Sequence, residues 1–179
     1  MGEIKSTLDL VMEKTRHMNL SPAERNEKRA EDIGKALRGL VQKYKDGLLR
    51  EEPFLDAFRG LEDVEGTPKD HMLLTEILNQ MRIDDDPDAR RAGLELLEFG
   101  CGRDTVQLAS ILSEFEAEKD KAGANRTREL LERLLKRHQI SGSAVVPNLE
   151  ADAAFKNSLN RLRKTYTERL DAEKDRLMG

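Results

Sequence analysis

"DDDPDARR", residues 84–91, packs four carboxylates into five positions and closes on two arginines. Two chemistries suit such a run. Clustered carboxylate oxygens suit a hard cation, but an EF-hand loop spaces its acids and needs a turn glycine. Here three acids are consecutive, Pro87 intervenes and no glycine follows until Gly93. A helix start accounts for every residue. Asp86 takes the N-cap, Pro87 the first helical position, and Asp88 the first turn, beside free amides and the positive end of the dipole. Arg90, four beyond Asp86, is expected to fold back toward the cap, and Arg91 to pair with Asp88 three residues before it.

Helical periodicity continues on both sides of this start. The apolar rows Leu74–Ile77–Leu78–Met81, Leu94–Leu97, Leu108–Ile111–Leu112–Phe115 and Leu130–Leu131–Leu134–Leu135 predict helices over 69–81, 87–99, 104–118 and 124–137. The breaks fall at "RIDDD", "GCGR" and "KDKAGA". Upstream, Ser21, Pro22 and Glu24 spell a capping box for a helix over 22–46, polar at its start and apolar at its end. A short helix follows over 51–61, then the loop "EDVEGTPKD". At the N-terminus, Ile4, Leu8, Val11 and Met12 form one face of a helix over 3–18.

Beyond "QISGSAVVPNLEAD", nothing breaks helix from Asn148 to Gly179. Phe155, Leu159, Leu162, Tyr166 and Leu170 make a stripe close to a heptad, interrupted by Glu173 before Leu177. The expected architecture is therefore all-α, an irregular multi-helix bundle. Residues 1–20 read as an amphipathic helix, 21–138 as the helical body and 139–148 as a linker. Residues 149–179 read as a long C-terminal helix, packed on residues 22–48 or in an oligomer interface.

Residues 73–116, "LLTEILNQMRIDDDPDARRAGLELLEFGCGRDTVQLASILSEFE", resemble a unit of the HEAT-like helical-repeat families. There an apolar helix leads into an Asp-Pro-x-x-Arg turn, followed by a second helix, a short turn and a third. Asp86, Pro87 and Arg90 match the turn, Ala92, Leu94 and Leu97 the positions after it, and Gly100 to Arg103 the break. Ala89 stands where the family usually has Val, and no second copy of the turn occurs. The resemblance implies local repeat-like packing and macromolecular binding.

Composition narrows function further. Of 179 residues, 37% are hydrophobic and 37% charged, with no tryptophan. Such a lean core is met in elongated or oligomeric helical proteins. Residues 51–120 hold 19 acids against 7 bases, and milder basic segments flank them. That distribution is not the contiguous basic surface of a dedicated nucleic-acid binder. Arg126, Arg133, Lys136 and Arg137 do form a basic surface on one amphipathic segment. It suits RNA, an acidic protein face or an anionic membrane, but the expectation is contact with this chain's own acidic 51–120 region.

Cys101 is alone, so no intrachain disulfide framework exists and a reducing, cytoplasmic setting is expected. No apolar run approaches the ~20 residues that span a bilayer, so no integral membrane contact is expected. His17, His71 and His138 form no metal-binding or catalytic motif with one another, and none stands near Cys101 in sequence. "GKALRG", residues 34–39, lacks the full phosphate-loop pattern. No catalytic, cofactor or metal residues are therefore assigned. The expected function is a noncatalytic adaptor, scaffold or assembly protein that binds an unidentified protein and forms a homodimer. Its interface residues are Ile4, Leu8, Val11, Met12, Phe155, Leu159, Leu162, Tyr166 and Leu170. The alternative is a nucleic-acid- or small-ligand-binding regulatory protein, with an enzyme ranking third.

Overall fold

The computed structural model describes residues 21–142 and 144–179. The N-terminal face of Ile4, Leu8, Val11 and Met12 lies outside them. Among the described residues there are six α-helices and no strand, so the fold is all-α. They are α1 (Pro22–Lys45), α2 (Glu51–Arg59), α3 (Lys69–Gln80), α4 (Pro87–Glu95), α5 (Val106–His138) and the long C-terminal α6 (Ala153–Met178). The chain divides into two compact units, Met1–Glu76 and Ile77–Gly179. No helix among the described residues is long and apolar enough to cross a membrane.

In the first unit, α1 begins at the expected capping box. Ser21 Oγ accepts from the Glu24 amide at 3.2 Å, and Glu24 Oε2 accepts from the Ser21 amide at 2.7 Å. These bonds hold the Glu24 carboxyl below its ordinary range, the backbone bond contributing most. Leu37 and Val41 are buried near the other end of α1, where the predicted apolar row lies. Gly47, at φ 70°, closes the helix as a left-handed cap, with the Leu48 amide bonded to Lys43 O. Phe54 and Phe58 are the buried face of α2, and Phe54 meets Tyr44 edge-on at 5.8 Å. The Lys69 ammonium caps the end of α2 through Leu61 O at 2.8 Å and Arg59 O at 3.3 Å, and lies over the Phe58 ring.

In the second unit, α4 starts where "DDDPDARR" places it. Asp86 Oδ1 accepts from the Asp88 and Ala89 amides at 3.0 and 2.9 Å, and Arg91 pairs with Asp88 at 2.8 Å. Replacing Asp86 with Ala leaves two first-turn amides without their acceptor and is expected to cost about 1 kcal/mol. The Arg91–Asp88 pair is exposed, so Arg91→Ala is expected to stay within a few tenths of a kcal/mol. Urea midpoints of the two variants check both values, and equal midpoints would rule out the capping role.

Arg90 departs from expectation. Its side chain is only 8% exposed and pairs with Glu116 of α5 at 2.9 Å rather than folding back to the cap. The predicted helix over 87–99 also changes character. After Glu95 the chain widens into a π-helical turn, Leu96–Gly100, and closes through Gly102 at φ 60°. The wider turn lets the consecutive Leu96 and Leu97 both be fully buried.

The break expected at "KDKAGA" is absent: α5 is continuous for 33 residues. A helical glycine costs about 1 kcal/mol relative to alanine. At Gly123 that cost does not end the helix, and Leu149 and the Phe155 ring stand 3.7–4.0 Å from where a Cβ would be, ordinary contact distances that place this turn against the segment leading into α6. The C-terminal helix also starts later than expected. A 3-10 turn, Leu149–Ala151, precedes it, and Asp152 caps it by accepting from the Phe155 amide at 2.7 Å.

Candidate protein-interaction surface

α5 and α6 run antiparallel, and their register follows from four contacts. Arg126 meets Asp152, Gly123 meets Phe155, Phe115 meets Tyr166, and Glu114 meets Arg169. Part of the C-terminal stripe is thus satisfied by α5, at Phe155 and Tyr166. Tyr166, Leu170 and Leu177 are buried, while Phe155, Leu159 and Leu162 are half-buried. Glu173, which interrupts the stripe, is buried too, its carboxylate held by both Nε and Nη2 of Arg176. That pairing keeps its pKa below the ordinary range despite burial.

The same register leaves α5 overhanging. Ala153 stands level with about residue 125, so the last dozen residues of α5, ~18 Å of helix, extend past the start of α6. Among the described residues, the return segment after Gln139 lies beside them. Gln139 makes the reversal with a left-handed backbone, φ 56°, its amide bonded to Leu135 O at 3.1 Å. The segment covers the overhang incompletely. Leu130, Leu131 and Leu134 are half-buried, and Leu135 and Ile140 are each 47% exposed. Val146 is 84% exposed.

An apolar groove of about 440 Å³ results. Its floor is Ala124, Thr127, Leu131 and Leu135, its far wall Ile140 to Gly142, and its two charged side chains are Arg128 and Glu132. Exposed aliphatic side chains gathered in one concave strip are a recognised mark of a protein-binding surface, whereas the same residues scattered singly would mean little. The leucines at 130, 131, 134 and 135 are legible as an apolar row. Their role as an open surface is not, because it depends on where α6 begins.

The basic residues separate. Arg126 donates to both oxygens of Asp152, at 2.9 and 2.8 Å, and to Glu129 at 2.7 Å. These bonds raise the arginine's pKa, and the Arg126 bond is the main cause that lowers that of Asp152. Arg126 is therefore tied to the α6 cap instead of to the acidic 51–120 region. Lys136 lies 3.7 Å from Glu132 one turn back, and Arg133, Lys136 and Arg137 are exposed. A second, polar hollow of about 380 Å³ includes Glu118, Lys121, Asn125, Arg126, Phe155 and Ser158 in its lining. Its arginine is already committed to two carboxylates.

Cys101 is half-buried at the end of the π-helical turn, His71 lies in α3, and His138 is exposed at the end of α5. Nearby, the Thr105 hydroxyl donates to Glu98 across the turn between α4 and α5. Among the described residues, no group of three or more His, Cys, Asp or Glu is placed to hold a metal ion. The chain matches no family model, no curated protein and no solved structure.

Proposed function

We propose that the chain is a noncatalytic adaptor or assembly protein that binds another protein through its helical surfaces. The overhang of α5 is the principal contact site. The observation that carries this is the groove around Leu131, Leu135 and Ile140, where large aliphatic side chains stay partly in water inside a concavity. An amphipathic helix from a partner suits such a groove, its apolar residues at helical spacing filling the strip between α5 and the return segment. Ile4, Leu8, Val11 and Met12 are proposed as a further contact face, and a cytoplasmic setting accords with the single cysteine.

A nucleic-acid- or anion-binding reading rests on a different observation, the exposed Arg133, Lys136 and Arg137 at the tip of α5. It ranks second because three bases without aromatic neighbours supply little specificity. Affinity capture with wild type and with Leu131→Asp/Leu135→Asp separates the two readings. Protein partners retained by wild type and lost by the double variant are the expected result. A partner set unchanged by the substitution overturns the groove as the contact site. Salt-sensitive binding of a polyanion, abolished by Arg133→Glu/Arg137→Glu, would move the reading to the second class.

A further inference from the structure

We infer that the groove on the α5 overhang is filled by the same overhang of a second copy of this chain, the two α5 helices crossing antiparallel about Leu131. The inference rests on the protein-binding reading above and gives its partner an identity. Its first support is charge. The groove carries one base and one acid one helical turn apart, Arg128 and Glu132. Under a two-fold axis at Leu131, residue 128 of one copy lies within two residues of residue 132 of the other. At 1.5 Å per residue this is an offset of ~3 Å along the axis, within reach of an arginine. Two symmetric Arg128–Glu132 pairs then flank the dyad. A parallel arrangement would set Arg128 against Arg128 and Glu132 against Glu132, which like-charge repulsion disfavours.

Shape gives the second support. The floor of the groove is small at one end, Ala124 and Thr127, and large at the other, Leu131 and Leu135. An antiparallel dyad sets Thr127 of each copy opposite Leu135 of the other and Leu131 opposite Leu131, so large side chains meet small ones and the grooves interlock. Such self-complementarity is what an isologous contact requires. Glu132 is available for the exchange, since its present pair with Lys136 is long and both side chains are well exposed. About three turns of helix against three bury on the order of 1,000 Å² in total, the low end for a specific contact.

Sedimentation equilibrium of the full chain, from low micromolar to submillimolar concentration, tests this with charge-reversed variants. Wild type is expected to dimerise, and Leu135→Asp to stay monomeric with an unchanged helical spectrum, since that side chain already meets water. Arg128→Glu alone and Glu132→Arg alone are each expected to weaken dimerisation on the order of 10-fold or more. The double reversal, Arg128→Glu/Glu132→Arg, should restore it, and mixing the two single variants should give a heterodimer. A wild type that stays monomeric throughout overturns the inference. So does a dimer indifferent to Leu135→Asp, or single reversals that weaken association with no rescue by the double. A monomeric wild type that still loses a different protein partner on Leu131→Asp/Leu135→Asp overturns self-pairing while leaving the broader protein-binding reading intact.

Discussion

Phe115→Ala is expected to lower the stability of the second unit by about 3–5 kcal/mol, the usual cost of truncating a fully buried aromatic. Phe115 is 1% exposed, on the face of α5 that also buries Leu108, Ile111 and Leu112. Its ring meets Tyr166 of α6 at 5.7 Å, tilted by 59°. Tyr166 is in turn covered by the Arg169 guanidinium, which lies 4.8 Å from the ring centre and is bonded to Glu114. Removing Phe115 therefore opens a cavity and loosens the contact by which α6 is held. Domains of this size have only about 5–15 kcal/mol of stability, so the loss is a large share. The expected reading is a lower urea midpoint, with hydrogen-exchange protection falling first in α6 and the adjacent turns of α5. Leu135→Ala, on the exposed overhang, serves as the contrast and should change stability by less than about 0.5 kcal/mol. Equal effects at the two positions would contradict the packing of α6 on α5.

The features legible in the sequence are those whose causes lie within one helical turn. Ser21 and Asp86 were readable as caps because each bonds to amides two or three residues away, whatever the rest of the chain does. The all-α class was readable for a similar reason, since helical periodicity repeats locally in every segment. The features that local sequence does not carry are those a distant partner decides. Gly123 reads as a break because its intrinsic cost is local, while the packing of that turn against Leu149 and Phe155 arrives from the other side of a reversal. Arg126 looked available as part of a basic surface, yet a carboxylate 26 residues on takes up its guanidinium.

The candidate surface follows the same division. Its leucines were visible as an apolar row, and nothing nearby in sequence says whether the row is covered. That depends on the register of α6 against α5, fixed by the Arg126–Asp152 pair and the Phe155–Gly123 contact. A C-terminal helix beginning three turns earlier in that register would have closed the groove. Conversely, Tyr166 and Leu170 looked like interface residues because an apolar stripe announces burial without naming the partner. Tyr166 meets Phe115 of the chain's own α5, and Leu170 is buried within the chain.

Arg90 is the sharpest case, and it yields an asymmetric pair of expected results. The side chain is 8% exposed and its Nη2 lies 2.9 Å from Glu116, whose carboxylate keeps 32% exposure and also accepts from Lys119 at 3.0 Å. Glu116→Ala strands a positive charge that burial prevents from rehydrating, and it is expected to cost about 3 kcal/mol. Arg90→Met fills the same channel with apolar atoms and leaves Glu116 in contact with water and Lys119. Its expected cost is below about 1 kcal/mol, and Arg90→Met/Glu116→Ala should recover most of the loss of Glu116→Ala alone. Acid should narrow the gap between wild type and Glu116→Ala. Partial burial raises the Glu116 pKa, but the Lys119 bond and the Arg90 and Lys119 charges outweigh it and leave the group below its ordinary range. A carboxylate depressed on folding contributes stability that is present above its unfolded pKa and is lost as pH falls through the folded value. The two proteins should therefore converge toward the acid end of the carboxylate range. Urea titrations at neutral and acid pH supply the numbers. Equal costs for the two single substitutions, or a gap that widens in acid, would mean that Arg90 is not held as a buried charge against α5.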